Sequence, residues 1–511
     1  MKSSILYILI QFLSYCSFVG AHAQTRAVNK PNIVFIYTDD QRFDALSLVQ
    51  EAQAAKARFP WFKTPNIDRI GREGVRFSNA FVVSSLCSPS RASMLTSQYN
   101  HQNGIANNHT ELTNTDPTYA TELQRAGYAT GFIGKWHMAN QEGPRPGFNY
   151  SFSFFGQGKY HDCPFQLNGE RIIQTKGWVD DVSTDSALTF IKRNADRPFM
   201  LALAFKSSHG PWSPPERLAN AYAEVTLRPP ASEDSDAPYK GKVATNRKPK
   251  NGKISDKNTG LTQQSWTIKN DKMIRNYFRV LKAVDENVGR ILDLLDSAKL
   301  SENTVVAFTT DNGYFLGEHN LGDKRAAYEE SMRVPLLVRY PAGLPQGKVV
   351  DKFVLNIDIA PTFLDFAGIS APATFQGKSW VPLAEGKTVP WRKSFLYEYF
   401  YERNFNTPTI VALRTENAKL VVYPGQEEWT ELFDLSTDPN EQHNLYTQLS
   451  EIHLNENDQY KNSPIIKLKE ELETELAEQK KIVGFKIPAY ADSALLDKNG
   501  KYISGENNLV R

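Results

Sequence analysis

The feature that most constrains the fold is a set of four apolar runs, each of which stops at a group of polar residues. The runs cover residues 32–38 (NIVFIYT), 128–133 (YATGFI), 199–205 (FMLALAF) and 304–310 (TVVAFTT). Their length and their β-branched and aromatic content predict buried strands. Amphipathic segments separate them, and the clearest places nine apolar residues between Ile274 and Leu295 at helical spacing. This alternation predicts an α/β fold with a large mixed, mostly parallel sheet flanked by helices.

Polar residues follow each predicted strand at the point where it ends. In chain order, these groups are Asp39-Asp40-Gln41, Gly134-Lys135-Trp136-His137, Lys206-Ser207-Ser208-His209 and Asp311-Asn312-Gly313. Each group alone is typical of a turn or a helix cap, because Asp, Asn and Gly are turn residues. Ligands of open α/β sheets, however, bind beyond the carboxyl ends of the strands. The four groups together therefore predict one polar pocket, provided that the strands are neighbours.

The 511 residues are enough for more than one structural unit. After Pro390, short alternating runs at 395–400, 410–414 and 419–423 precede an acidic helical pattern from about 465 to 482. We predict a catalytic domain over residues 24–385 and a smaller C-terminal α+β subdomain with an antiparallel sheet over residues 386–511. Between residues 231 and 260, a Pro-, Lys- and Gly-rich stretch predicts a solvated insertion; the alternative is a basic lip for a polyanionic substrate.

The N-terminal residues have the three parts of an export signal. Lys2 opens the segment, an apolar run covers residues 5–19, and Ala21-His22-Ala23 forms an A-x-A cleavage site. The run is shorter than the roughly 20 residues that a membrane span needs. We therefore predict a signal peptide over residues 1–23, export to the periplasm or the medium, and a mature chain without a membrane span.

Composition excludes some classes of protein. Lys+Arg 59 against Asp+Glu 57 gives a formal net charge of +2, without the basic excess of a dedicated nucleic-acid binder. Three cysteines cannot form a disulfide framework in a chain of this length. The composition thus predicts a globular protein whose core comes from packing and which has no nucleic-acid partner.

The most specific segment is Cys87–Thr96 (CSPSRASMLT). Pro89 suits the first turn of a helix, which puts Cys87 at or just before the helix N-terminus. Free backbone N–H groups at that end attract an anion, and Arg91 adds a positive charge. This environment activates a nucleophile or binds an anionic group. A lone Cys-Pro pair would instead indicate a small buried cysteine beside a helix cap.

This segment resembles the signature C/S-x-P-S-R-x-x-x-L-T-G of the type I, formylglycine-dependent sulfatases in the alkaline phosphatase superfamily. It departs at the last position, where Ser97 replaces Gly, and we expect little consequence because Ser97 lies on the far side of the helix turn from Cys87. The resemblance covers most of the chain in order: residues 31–41, 134–137, 311–313, 324–325, 328–335, 431–435 and 438–439. It implies an alkaline-phosphatase-like fold and is closest to polysaccharide-directed sulfatases.

The resemblance implies a modified nucleophile and a metal. Cys87 would be oxidised to Cα-formylglycine by a formylglycine-generating enzyme or an anaerobic sulfatase-maturing enzyme. One hydroxyl of the hydrated aldehyde attacks sulfur and expels the alcohol, and the other then loses its proton and releases sulfate. Residue 87 would also be a metal ligand, together with Asp39, Asp40, Asp311 and Asn312. Oxygen ligands suit Ca²⁺ first and Mg²⁺ second.

By the same resemblance, five further side chains take part in catalysis. Arg91 orients the diol, Lys135 lies beside it, and Lys324 binds the sulfate group. His137 matches the base that triggers sulfate release. His209 matches the histidine that protonates the leaving alcohol, with a structural hydrogen-bonding role as the alternative.

Six residues are predicted substrate contacts, each with a structural alternative: His101, His161, Asp162, Arg171, Trp212 and His319. His101 would line the pocket floor, and His319 would either touch the leaving sugar or stabilise its loop. Residues 156–162, with Arg171 beyond them, have the glycine and aromatic content of a substrate loop. Trp212 would stack on a sugar ring, although tryptophan is more often simply packed.

The predicted function is therefore that of a sulfuric ester hydrolase acting on a sulfated carbohydrate. The substrate would be a glycosaminoglycan or an algal polysaccharide such as ulvan. One alternative is a phosphodiesterase or phosphonate monoester hydrolase of the same superfamily. The other is a carbohydrate-binding protein without catalytic activity.

Overall fold

The computed structural model describes residues 30–112, 117–232, 271–402, 405, 407–453 and 463–491. The predicted signal peptide and nearly all of the predicted insertion over 231–260 lie outside the described residues. Strands in chain order are β1 Asn32–Thr38, β2 Val75–Phe81, β3 Ala129–Lys135, β4 Tyr150–Phe154, β5 Phe165–Leu167, β6 Arg171–Ile173, β7 Phe199–Ala204, β8 Thr304–Thr310, β9 Phe315–Leu316, β10 Gly322–Asp323, β11 Arg333–Arg339, β12 Lys348–Val350, β13 Val354–Leu355, β14 Ser394–Tyr399, β15 Ile410–Thr415, β16 Ala418–Val422 and β17 Glu431–Asp434.

The larger sheet is mixed, with a parallel centre. Its order is β12-β2-β11-β8-β1-β7-β3-β4-β5-β6, and β13 pairs with β2. Strands β8, β1, β7, β3 and β4 run parallel to one another, whereas β11 and β5 join this centre antiparallel. The predicted mixed, mostly parallel sheet is confirmed.

The four predicted buried strands are neighbours in this sheet, in the order β8-β1-β7-β3. Their polar carboxyl-terminal residues therefore reach the same edge. β1 and β8 have the predicted bounds, but β3 continues two residues beyond the prediction, through Gly134 and Lys135. Gly134 has φ +100°, and a Cβ there would lie 1.9 Å from the Ala204 carbonyl oxygen. Only glycine fits between the strands at this point.

Helices cover both faces of the larger sheet. In chain order they are α1 Ser47–Gln53, α2 Pro65–Arg72, α3 Cys87–Thr96, α4 Asn100–Asn103, α5 Tyr119–Arg125, α6 Val179–Arg193, α7 Asp271–Ser297, α8 Glu329–Met332, α9 Ile359–Phe366, α10 Val381–Glu385, α11 Tyr446–His453 and α12 Pro464–Val483. Helices α2, α6 and α7 pack on one face, and α3, α5 and α9 on the other. The predicted apolar stripe between Ile274 and Leu295 is the buried face of α7.

A second, antiparallel sheet has the order β14-β15-β16-β17. Leu472, Leu476 and Val483 of α12 pack against it in one apolar cluster. This confirms the smaller antiparallel sheet with its helix, while the domain bounds stay a prediction. In the part of the chain that the structure describes, no helix combines the length and apolar character needed to cross a membrane.

Candidate active site

Three carboxylates meet at the carboxyl edge of the larger sheet. Asp39 and Asp40 follow β1, and Asp311 follows β8, which is hydrogen-bonded to β1. Each contributes an oxygen to a group whose members lie within 4.8 Å of one another. The Asn312 amide nitrogen donates to Asp40 Oδ1 at 2.6 Å. Asn312 Oδ1 is buried and has no hydrogen-bond partner within the described residues.

Cys87 is the first residue of α3 and has no exposed surface. Its thiol donates to Asp39 Oδ1 at 3.5 Å and accepts from Lys324 Nζ at 3.3 Å. The preceding residue, Leu86, is extended, so the helix begins at Cys87 as Pro89 predicts. The residue predicted as nucleophile therefore lies against the carboxylates and beside a cation.

Three cations surround the carboxylates. Arg91 donates from Nε to Asp311 Oδ2 at 2.8 Å and from Nη2 to Asp39 Oδ2 at 3.1 Å. Lys135 Nζ pairs with Asp39, and Lys324 Nζ donates to Asp40 Oδ1 at 2.5 Å. All six side chains are nearly or fully buried. The structure thus brings together every residue predicted to bind the metal or the sulfate group.

Two histidines complete the site. His209 Nε2 lies 3.9 Å from Asp40 Oδ2, and the ring belongs to a compact group with Asp39 and Cys87. His137 has φ +51°, and its Nε2 lies 3.2 Å from the side-chain nitrogen of Gln157. The structure therefore brings His209 beside the carboxylates and Cys87, although its sequence surroundings were the least specific.

Burial and mutual repulsion disturb the acids. Burial, with added repulsion from Asp39 and Asp311, raises the pKa of Asp40 to about 7 despite the charge of Lys324. Burial and Asp39 also raise the pKa of Asp311. For Asp39, burial is outweighed by Lys135 and other cations, so its pKa lies well below the usual value. The cluster has three cations for its three carboxylates, but burial and mutual repulsion still raise the pKa of Asp40 and Asp311.

The thiol and the two imidazoles shift in the direction that burial imposes. Burial and the Asp39 charge raise the pKa of the Cys87 thiol to about 12, so an unmodified cysteine here would be a protonated, weak nucleophile. Burial and the charge of Lys135 hold the pKa of both His137 and His209 well below 6.5.

The donor set fits a hard divalent cation. Three carboxylates and the unpartnered amide oxygen of Asn312 supply oxygen atoms, which Ca²⁺ and Mg²⁺ prefer. A cation would relieve the repulsion that raises the pKa of Asp40. The residues thus match the predicted calcium or magnesium ligands in chemistry and position.

Ser97, the departure from the signature, ends α3 in the left-handed region with φ +56°. Its hydroxyl donates to the Ile357 carbonyl oxygen at 2.7 Å and accepts from the Gly377 N–H at 3.0 Å. Ser97 lies at the opposite end of the helix from Cys87, in agreement with the predicted separation. Two hydrogen bonds therefore offset the backbone strain that glycine would avoid.

His101, predicted at the pocket floor, instead joins α4 to the C-terminal sheet. Its Nδ1 lies 2.6 Å from Glu398 Oε2 and its Nε2 3.1 Å from the Val483 carbonyl oxygen. The imidazole has no exposed surface. Both ring nitrogens are occupied, which corresponds to a structural role rather than the predicted substrate contact.

The predicted substrate loop has its polar end at the surface. His161 is exposed and bonds to the Ser213 hydroxyl, Asp162 pairs with Lys176, and Arg171 is exposed on β6. The structure does not place these three in the buried strand-end cluster. That these three residues contact the substrate stays a prediction.

Trp212 and His319 have structural contacts close to the site. The Trp212 indole donates to the Ser208 carbonyl oxygen, one residue before His209, and packs edge-on against Tyr314. His319 stacks on Tyr328, with ring centroids 4.3 Å apart, and faces Glu330. The loop-stabilising alternative for His319 thus agrees with its surroundings.

Sequence patterns did not identify Asp180 as part of the support for the site. This buried carboxylate accepts from the N–H groups of Lys206 and Ser207 and from the Ser207 hydroxyl, and burial raises its pKa to about 6. It holds the segment that leads from β7 to His209. Its position in the first turn of α6 is ordinary for an acidic residue, so no local signal marked it.

Comparisons with known proteins agree with this geometry. A family model described as Sulfatase matches residues 31–369, and one described as N-sulphoglucosamine sulphohydrolase, C-terminal, matches residues 317–476. The chain is 32% identical over 510 residues to the N-acetylglucosamine-6-O-sulfatase of Bacteroides thetaiotaomicron, covering 87% of this chain and 88% of that protein.

Solved structures of sulfatases and of a phosphonate hydrolase have a similar fold. One that contains its substrate, D-Glucosamine-2-N, 6-O-disulfate, has a TM-score of 0.76 and 30% identity, covering 89% of this chain and 98% of that chain. The phosphonate monoester hydrolase of Silicibacter pomeroyi has a TM-score of 0.66 at 21% identity, covering 88% and 96%. The second likeness shows a shared fold alone.

Proposed function

This chain belongs to the sulfatase family, and we propose that it removes the 6-O-sulfate group from a glucosamine unit of a sulfated glycosaminoglycan. The sulfatase activity follows from the family. The choice of sugar rests on the N-acetylglucosamine-6-O-sulfatase that is 32% identical and on the relative solved with a disulfated glucosamine. A sulfated algal polysaccharide is the competing carbohydrate class.

The observation that carries the proposal is the position of Cys87. It begins a buried helix, touches Asp39 and Lys324, and is protonated as a thiol because burial raises its pKa to about 12. An ordinary thiolate mechanism is therefore disfavoured at this position, whereas an aldehyde-derived hydroxyl needs no thiolate. We propose that a maturation enzyme converts Cys87 to formylglycine, whose hydrated form supplies the nucleophilic oxygen.

We propose that Asp39, Asp40, Asp311 and Asn312 hold a calcium ion, with magnesium as the second choice. When bound, such an ion lowers the pKa of the nucleophilic hydroxyl and stabilises charge on the sulfate group. Arg91 and Lys135 each form an ion pair with Asp39 Oδ2. These two ion pairs hold the Asp39 carboxylate in place.

The remaining side chains bind sulfate and move protons. Lys324 Nζ lies 3.3 Å from Cys87 Sγ, and Lys135 pairs with Asp39, which accepts from the same thiol; both ammonium groups would hold sulfate oxygens. His209 Nε2, 3.9 Å from Asp40, would deliver a proton to the leaving sugar oxygen. His137 would take a proton from residue 87 to release sulfate.

Export completes the proposal. The A-x-A segment at Ala21–Ala23 supports cleavage of a signal peptide and delivery to the periplasm or the medium, where sulfated polymers are met. Mass measurement of the chain recovered outside the cytoplasm tests this part. A mature N-terminus before residue 20 or an uncleaved chain would contradict it.

The substrate test compares esters that differ in the sugar, in the position of the sulfate group, or in the group that is transferred. The matured enzyme is incubated with 6-O-sulfated N-acetylglucosamine, with 4-O-sulfated N-acetylgalactosamine as the matched control, with a sulfated algal oligosaccharide, and with an aryl phosphonate ester. Mass loss of sulfate from the first compound alone is the expected result. Preference for the algal oligosaccharide would overturn the sugar assignment, and faster phosphonate hydrolysis would overturn the sulfatase activity.

A further inference from the structure

A glutamine outside the residues identified from the sequence signature bridges two of the proposed catalytic side chains. Gln157 lies in the loop after β4. Its Oε1 accepts from Lys135 Nζ at 2.6 Å, and its Nε2 lies 3.2 Å from His137 Nε2. The sequence predicts that this loop contacts the substrate, but the Gln157 side chain points inward and contacts the proposed catalytic residues Lys135 and His137 instead.

The chemistry of these partners fixes the orientation of the amide. An ammonium group has only donors, so the atom that faces Lys135 must be the carbonyl oxygen. The NH₂ end then faces His137, whose Nε2 must accept this hydrogen bond. The imidazole is therefore neutral and has its proton on Nδ1.

Gln157 also has no competitor for this task among the described residues. His137 Nδ1 is buried there without a hydrogen-bond partner, so no carboxylate or carbonyl group selects the tautomer from the other side of the ring. The bond to Gln157 is then the contact that decides which ring nitrogen has the proton and which one accepts.

The loop itself is held firmly. Lys206 Nζ donates to the Gln157 carbonyl oxygen at 2.8 Å, and the Tyr160 hydroxyl donates to the His209 carbonyl oxygen at 2.8 Å. Gly158 has φ +62°, and a Cβ there would lie 2.5 Å from the Phe154 ring. One loop thus contacts the segments of both proposed proton-transfer histidines.

We propose that Gln157 is a positioning residue that fixes His137 in the neutral form protonated on Nδ1, with Nε2 as the accepting nitrogen, and ties the ring to Lys135; the Gln157 amide then moves aside when Nε2 takes up a proton. This inference rests on the proposed function, because it needs His137 to accept a proton during turnover. When Nε2 gains that proton, two donors face each other and the hydrogen bond is lost. Gln157 therefore favours return of His137 to the neutral state before the next turnover.

Three variants test this role on an aryl sulfate and on 6-O-sulfated N-acetylglucosamine. Gln157→Leu keeps the size and removes both hydrogen bonds. Gln157→Glu keeps the bond to Lys135 but replaces the donor to His137 with an acceptor. Gln166→Leu is the matched control, because Gln166 is a buried glutamine on the neighbouring β5 that bonds to Arg145 and to the Gly169 carbonyl oxygen.

We expect Gln157→Leu to lower kcat by about 10- to 100-fold with KM within about threefold of wild type, since a general base contributes roughly 10²- to 10⁴-fold. Gln157→Glu should move the acidic limb of the kcat profile to higher pH, because a carboxylate stabilises protonated His137. Gln166→Leu should keep the wild-type kcat.

A Gln157→Leu enzyme with kcat within twofold of wild type would overturn the inference. So would an unchanged acidic limb in Gln157→Glu, which decides the question alone if the leucine variant does not fold. Equal losses of kcat in Gln157→Leu and Gln166→Leu would also overturn it, as a general packing effect. A matured wild-type enzyme that hydrolyses no sulfate ester would refute the proposed function itself, and the role of Gln157 with it.

Discussion

Two groups of buried charges follow β1 within six residues of each other, and they differ in whether their acids are stabilised in the charged form. Arg42 pairs with Asp44 and Glu318 at 2.8 Å each, and Arg58 pairs with the same glutamate. This Arg42 network therefore has two arginines for two carboxylates. The strand-end cluster of Asp39, Asp40 and Asp311 also has one cation for each carboxylate, but one oxygen of each acid lies within 4.8 Å of the others, so the acids repel one another.

The acids of the two groups respond in opposite directions. Burial opposes ionisation of Glu318, but the charges of Arg42 and Arg58 prevail and lower its pKa to about 2. Burial together with Asp39 and Asp311 raises the pKa of Asp40 to about 7 although Lys324 is in contact. We call the Arg42 network closed, because its arginines stabilise the charged form of Glu318, and the strand-end cluster open, because the charged form of Asp40 is destabilised. The closed network stabilises the fold, whereas the open cluster is suited to bind a further cation.

The largest expected effect separates chemistry from folding. Cys87→Ala should lower kcat by on the order of 10⁴-fold or more, as loss of a nucleophile does in other hydrolases. Its melting temperature should stay close to that of wild type, because the thiol makes only long contacts, at 3.3 and 3.5 Å. Steady-state kinetics and thermal unfolding on the same samples measure both.

Cys163→Ala is the control for that variant, since Cys163 is the other buried free cysteine in the described residues. It should keep its activity. Activity retained by Cys87→Ala would refute the nucleophile.

Removal of divalent cations should affect the open cluster alone. Chelation is expected to reduce kcat by about 10³-fold, because the ion supplies several kcal/mol of charge stabilisation. It should also lower the melting temperature by a few degrees, since a bound ligand stabilises the folded state by mass action. Calcium should restore both properties, and an unchanged melting curve after exhaustive chelation would contradict the metal assignment.

Glu318→Gln should break the closed network. Removing one partner of a buried ion pair destabilises by about 3–5 kcal/mol, so urea unfolding at pH 7 should show a loss of this size. The pKa of Glu318 is lowered, so its stabilisation is present above the unfolded value of 4.5 and is lost as pH falls through about 2. Wild type and variant should therefore converge below about pH 2, and the chelation effect should be the same in both.

His101 offers a smaller closed pair. Glu398 and the Val483 carbonyl oxygen both accept, so both ring nitrogens must donate and the imidazole is charged. Burial lowers the pKa of His101, but the hydrogen bond and charge of Glu398 outweigh it and raise the pKa. This stabilisation is present below the unfolded value of 6.5 and is lost as pH rises through the folded value.

His101→Asn should therefore destabilise by about 1–2 kcal/mol at pH 6 and by less at alkaline pH. Equilibrium unfolding at pH 6 and pH 9 measures the difference. A loss that grows with pH would contradict the charged imidazole.

The central strands could be predicted from the sequence because they are buried on both faces. β1 and β8 are uninterrupted apolar runs, and both have the predicted bounds. β2 (VRFSNAF) carries polar residues that are only partly buried, and β5 and β6 have three residues each. These strands lie towards the ends of the sheet and lack a continuous apolar pattern, so the sequence did not indicate them.

The same contrast holds for the site. Residues at strand ends, such as Asp39 and Asp311, are placed together by the sheet order, which the apolar runs predict. His101 and Gln157 take their roles from partners distant in the chain, and Glu398 is 297 residues from His101. No local pattern specifies such a contact.

The burial of Cys87 also sets an order of events during biogenesis. A side chain with no exposed surface cannot enter the active site of another protein, so the oxidation that we propose for Cys87 must take place before α3 packs against the larger sheet. Folded protein made without that enzyme should stay inactive when the enzyme is added later, and should become active only after unfolding and refolding in its presence. Oxidation of Cys87 thus competes with folding of the chain, and the fraction of active molecules measures how often oxidation came first.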